Sequence, residues 1–113
     1  MKIISILGNR IEKLDKERIM RLTSLQKLNL DNNKIRRLPL EIFVKSSQLE
    51  ALSMANNRLE EIPKMLPCSL KKLNLESNQI HEISLGTFVS CQMLEEIHLK
   101  GNPLVPRYEI FGR

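Results

Sequence analysis

The stretch Leu25-Gln26-Lys27-Leu28-Asn29-Leu30-Asp31-Asn32-Asn33-Lys34-Ile35 decides the fold, because its pattern does not occur only once. The spacing Leu25-x-x-Leu28-x-Leu30-x-x-Asn33-x-Ile35 returns through Leu49, Leu52, Met54, Asn57 and Leu59, then through Leu70, Leu73, Leu75, Asn78 and Ile80. It returns a last time through Leu94, Ile97, Leu99, Asn102 and Leu104, and an upstream copy runs through Met1, Ile4, Ile6, Asn9 and Ile11. The asparagines are separated by 24, 24, 21 and 24 residues. Self-similarity at such a period marks one small unit stacked on copies of itself.

Each position of the pattern has a physical task. Leu-x-Leu alternates with period two, as a short strand does when one face is buried and the other is wet. The asparagine follows where the chain turns inward, and its amide can satisfy backbone groups that the turn leaves unpaired. Repeated coil after coil, Asn9, Asn33, Asn57, Asn78 and Asn102 then form a structural ladder. The next apolar pair, Ile35 with Leu38 or Ile80 with Ile83, carries the chain across the floor of the core. No unit can bury its own leucines alone, so stacking supplies the missing wall.

Working outward, the composition agrees. Of 113 residues, 19 are leucine, 12 isoleucine and 9 asparagine, against four aromatics, so the core is aliphatic and asparagine is structural. Hydrophobic residues are 42% and charged residues 27%, an ordinary balance for a folded chain. The longest apolar run is far short of the roughly 20 residues of a membrane span. The opening Met1 to Leu7 is too short for a signal peptide, which needs an apolar region of about 7–15 residues. Cys68 and Cys91 alone cannot staple a disulfide miniprotein. The net charge of +5 is spread among 13 acidic residues, which argues against a nucleic-acid partner.

The pattern is that of the leucine-rich repeat, and the resemblance runs over nearly the whole chain. It implies an α/β, right-handed solenoid with a parallel sheet on the concave side and short helical, 3-10 or extended segments on the convex side. One domain is expected over residues 1–113, with repeats beginning near 1, 25, 49, 70 and 94. In the long units Phe43, Ser46 and Leu49, then Phe88, Cys91 and Leu94, keep a three-residue rhythm that Ile19, Leu22 and Leu25 echo, which suits a helical or 3-10 turn. The short unit returns through Pro63-Lys64-Met65-Leu66-Pro67, where two prolines favour an extended path.

Mixed 21- and 24-residue units resemble the small leucine-rich proteoglycans. So does the tail Gly101-Asn102-Pro103-Leu104-Val105 with Tyr108-Glu109-Ile110 and Phe111, which is similar to that of the decorin type without its tryptophan. The resemblance implies a secreted, extracellular-matrix setting, with collagen or another matrix component as partner. The departures are equally specific: there are no cysteine-rich caps, no Ser-Gly attachment dipeptide and no Asn-x-Ser/Thr sequon. Met1 falls at the first position of a repeat, so a piece of a longer matrix-type protein is expected. The uncapped edge also invites self-association. A cytoplasmic adaptor or scaffold on the same repeat is the competing expectation, since two cysteines without caps suit a reducing compartment.

No catalytic constellation emerges, and the chain is expected not to be an enzyme. His81 and His98 hold different repeat positions with no cysteine at metal-ligand spacing, so no metal or cofactor is expected. Cys68 and Cys91 hold close positions in neighbouring coils; free structural thiols are the leading expectation, with a bridge as the alternative. The informative surface is the wet face of the sheet. Alternation puts Ser5, Asn29, Ser53, Asn74 and His98 in a central column, Ile3, Lys27, Ala51, Lys72 and Glu96 on one side, and Leu7, Asp31, Ala55, Glu76 and Lys100 on the other. Lys27, Asn29, Asp31, Ser53, Lys72, Asn74, Glu76 and His98 are the candidate partner-binding residues, by polar pairing rather than aromatic anchors. A basic edge of Arg10, Lys34 and Arg58 could instead meet a sulfated, heparin-like glycan.

Overall fold

A computed structural model describes residues 2–84 and 86–105. Five short strands, β1 (Lys2–Ser5), β2 (Leu25–Asn29), β3 (Ala51–Ser53), β4 (Lys72–Asn74) and β5 (Glu96–His98), form one parallel sheet in sequence order. Parallel neighbours with no strand skipped require every connection to circle back to the same side, which makes the chain a solenoid of stacked coils. The register is constant: Leu28, Leu52, Leu73 and Ile97 pair in one row. The repeat read from sequence is therefore the physical repeat.

The strand leucines and their successors fill the interior. Leu25, Leu30, Ile35, Leu49, Met54, Leu70, Leu73, Leu75 and Ile80 have no exposed surface, and Leu28, Leu52 and Leu59 are nearly as dry. Burying each such side chain is worth about 1.5–3 kcal/mol. Burial weakens towards the ends of the stack: Ile4, Ile6 and Ile11 in the first coil, and Leu94, Ile97 and Leu99 in the last, are only half-buried. Ile83 is 41% exposed, so it does not complete the core floor as its spacing suggested.

The return segments follow the three-residue rhythm. The first contains a single helix, α1 (Lys16–Arg21), whose Asp15 cap accepts from the N–H groups of Glu17 at 3.0 Å and Arg18 at 3.4 Å, and which buries Ile19. The later long returns are chains of i→i−3 turns: Val44 N–H bonds to Glu41 O, Ser46 to Phe43 and Leu49 to Ser46. The same ladder of turns recurs as Val89 to Gly86, Cys91 to Phe88 and Leu94 to Cys91. Between Pro63 and Pro67 the short return makes no helix, but Met65 kinks it into the left-handed region at φ 57°, a departure from a simply extended path.

Candidate functional site

The site rests on the asparagine ladder, which fixes coil to coil. The Asn33 side-chain oxygen accepts from Asn9 N–H and Ile11 N–H of the preceding coil, both at 3.0 Å, while its Nδ2 donates back to Ile6 O, and to Leu30 O and Asp31 O of its own coil. Asn57 serves Ile35 N–H and Leu30 O of the coil before it, Asn78 serves Leu59 N–H and Met54 O, and Asn102 serves Asn78 N–H, Ile80 N–H and Leu75 O. Asn33, Asn57 and Asn78 are buried. Asn9 corrects the sequence expectation: it is exposed, and among the described residues its side chain makes no hydrogen bond. The latch always reaches towards the preceding coil, and none lies on that side of Asn9 among the described residues.

Sequence reasoning passed over the position just before each ladder residue. Gly8, Asn32, Asn56, Ser77 and Gly101 all sit in the left-handed region, at φ 62°, 61°, 57°, 56° and 82°. Glycine and asparagine tolerate that conformation, and four of the five positions carry one of them, which is the signal that could have revealed the turn. A Cβ on Gly101 would also meet Ser77 Oγ at 2.9 Å and Ser77 N at 3.2 Å.

With the turns fixed, the wet face is laid out in columns. Lys27, Ala51, Lys72 and Glu96 pair across four strands, and Asn29, Ser53, Asn74 and His98 form the next column. Ile3 and Ser5 extend the two columns onto β1. Lys27, Lys72, Glu96 and His98 are exposed and Asn29, Ser53 and Asn74 half-buried. This face forms a shallow hollow of about 380 Å³.

The candidate residues divide by what they already hold. Asn29 Oδ1 accepts from Asp31 N–H, and Asn74 Oδ1 accepts from Glu76 N–H, each at 3.0 Å. Their Nδ2 groups have no partner among the described residues, nor does either Lys27 or Lys72 form an ion pair there. Asp31 Oδ1 accepts from Ser53 Oγ at 2.7 Å and from Ala55 N–H at 2.8 Å, so Asp31 ties its coil to the next, and of the two only Ser53 lines the hollow. Ala55 is buried, a difference from its expected place on the wet face. At the far end His98 stands 3.5 Å from a Glu96 oxygen and 4.0 Å from a Glu76 oxygen.

Of the basic edge, Arg10 and Arg58 are exposed and Lys34 half-buried, and among the described residues none of the three forms an ion pair; the neighbouring Arg36 instead reaches Glu60 at 3.2 Å. His81 lies away from His98, on the return side of its coil, and no group of three or more His, Cys, Asp or Glu side chains among the described residues could hold a metal ion. Cys68 is exposed and Cys91 buried, both as free thiols. Burial pushes the Cys91 thiol above its ordinary pKa; a hydrogen bond to Ser90 partly opposes this and the neighbouring Cys68 adds to it. No helix among the described residues is long and apolar enough to cross a membrane. Tyr108, Glu109, Ile110 and Phe111 of the proteoglycan-like tail lie outside the described residues.

The comparison with known families agrees with the coils: the leucine rich repeat model matches residues 1–59 and 68–104. The chain belongs to the leucine-rich repeat family. Over 93% of its length it is similar to the crystal structure of the leucine-rich repeat domain of mosquito APL1B, at 25% sequence identity and a TM-score of 0.86. Over 94% it is similar to the crystal structure of the mosquito LRIM1/APL1C complex, at 25% identity and a TM-score of 0.87. This leucine-rich repeat chain spans 33% of the first of those chains and 20% of the second. No curated protein matches it.

Proposed function

We propose that this leucine-rich repeat chain is a non-enzymatic protein-binding module whose partner docks on the wet face of the sheet. The observation that carries the reading is the register: it aligns Lys27 with Lys72 and Asn29 with Asn74, four side chains whose donor groups have no partner among the described residues. Charged and amide groups held at fixed spacing on a rigid sheet give orientation and partner choice rather than bulk affinity. One of the similar structures is itself a complex, between LRIM1 and APL1C, which supports association as the use of the fold.

Selection of a displayed random-peptide library on the whole chain tests this. Selected peptides should bind the wild type and fail to bind a Lys27→Ala, Asn29→Ala, Lys72→Ala, Asn74→Ala variant that melts at the same temperature. Peptides that bind both proteins equally would overturn the reading. The extracellular-matrix setting and a collagen partner rest on the resemblance of the tail and the mixed repeat lengths, and neither of the two similar structures adds support for them. A sulfated glycan is the second reading, favoured by Arg10, Lys34 and Arg58 on successive coils, none of which forms an ion pair among the described residues.

A further inference from the structure

Resting on that reading of the sheet, we propose that the occupant is a proline-rich, acidic segment of a partner protein. It would lie across the strands in a polyproline II conformation, with carboxylates three residues apart on Lys27 and Lys72. The face is unusual in what it lacks. Four donor groups at its centre have no partner among the described residues: the Lys27 and Lys72 ammonium groups, and the Asn29 and Asn74 Nδ2 groups, whose companion oxygens accept from Asp31 N–H and Glu76 N–H respectively. Such an array is best matched by a backbone rich in acceptors and poor in N–H. A polyproline II chain makes no internal hydrogen bonds, and its prolines carry no N–H, so its carbonyls are free for the two amides.

The spacing agrees independently. β2 and β4 are separated by one strand, and neighbouring strands lie about 4.7–4.9 Å apart, which puts Lys27 and Lys72 roughly 9.6 Å apart. A polyproline II helix turns once in three residues with a rise of about 3.1 Å each, so positions i and i+3 share a face at roughly 9.3 Å. An extended β segment matches less closely, because its same-face positions are about 6.7 Å or 13.4 Å apart. Between the two lysines stands Ala51, and between the two amides Ser53, whose hydroxyl donates to Asp31. The floor is thus low and chemically quiet where a proline ring would sit. Ile3, 60% exposed on β1, offers an apolar contact at one end of the path, while Glu96 on β5 stops the anionic run at two sites.

The test uses labelled proline-rich peptides carrying two glutamates at i,i+3, compared with i,i+2 and i,i+4 placements and with glutamine at both sites, measured by fluorescence polarisation on the whole chain. The i,i+3 peptide should bind at least about tenfold more tightly than the other placements. Lys72→Ala should remove that preference while leaving the circular dichroism melt unchanged, and affinity should fall with added salt. Equal binding of all spacings, no binding of any, or tighter binding of a heparin oligosaccharide to the same face would overturn the proposal. If library-selected peptides still depend on Lys27 and Lys72 but show no i,i+3 preference, the polyproline geometry alone is wrong. If peptide binding survives loss of both lysines, the sheet is not the docking face at all.

Discussion

Replacing Asn57 by alanine should cost a large share of the stability of the chain. Its Oδ1 is the acceptor for Ile35 N–H at 3.1 Å, and its Nδ2 donates to Leu30 O and Met54 O at 3.0 Å and to Ala55 O at 3.2 Å. Ile35 has no exposed surface and Asn57 itself is 7% exposed, so water cannot take over these contacts without opening the stack. Leaving the Ile35 N–H unsatisfied costs about 1–3 kcal/mol, and losing two donors to buried carbonyls costs about 0.5–1.5 kcal/mol each. The sum, about 2–6 kcal/mol, compares with a total of about 5–15 kcal/mol for a typical domain. Urea unfolding followed by circular dichroism measures it. Asn9→Ala is the matched control, since the same chemical change in an exposed side chain without bonds should stay within about 0.5 kcal/mol. If Asn57→Ala costs less than about 1 kcal/mol, or no more than Asn9→Ala, the ladder is not what holds the coils.

Further outcomes follow from particular atoms. Ser46 Oγ is buried with no hydrogen-bond partner, so Ser46→Ala should raise stability by about 1 kcal/mol in the same unfolding assay. Ser77 is the one left-handed position in its column that is neither glycine nor asparagine; Ser77→Gly should stabilise by up to about 1 kcal/mol, and Gly101→Ala should destabilise by more than that. Native Cys68 should react with a thiol reagent well before Cys91, whose raised pKa and burial both suppress the thiolate. Because the folded pKa of Cys91 lies above the unfolded one, its contribution favours folding below the ordinary thiol pKa and is lost as pH rises through it to the folded value. Cys91→Ala should flatten that alkaline decline in a pH series of melts. Heparin retention, if carried by the basic edge, should fall on Arg10→Ala with Arg58→Ala and collapse with added salt.

The fold was legible because one structural rule is written five times. Period-two leucines, the asparagine that follows them and the three-residue rhythm of Phe43, Ser46 and Leu49 each name a backbone state, and their repetition removes the ambiguity any single copy would leave. The columns of the wet face came with it, since fixing Leu28 against Leu52 and Leu73 also fixes Lys27 against Ala51 and Lys72. What escaped depends on atoms rather than pattern. That Asp31 spends an oxygen on Ser53 and Ala55, or that Asn29 and Asn74 turn their oxygens to the backbone and leave their amides free, is set by rotamers that spacing does not encode. The end effect at Asn9 likewise depends on which neighbour is present, a property of position in the stack rather than of the repeat.

Amide hydrogen exchange in the wild-type chain tests the central claim most directly. Among the described residues the N–H groups of Ile35, Leu59 and Ile80 have no backbone acceptor and are held by the side chains of Asn57, Asn78 and Asn102. They should exchange as slowly as the amides of Leu52 and Leu73 at the centre of the sheet, with fast exchange before Ile11. Rapid exchange at Ile35 and Leu59 while Leu52 and Leu73 stay protected would contradict it, because the coils would then be stacked without their latches.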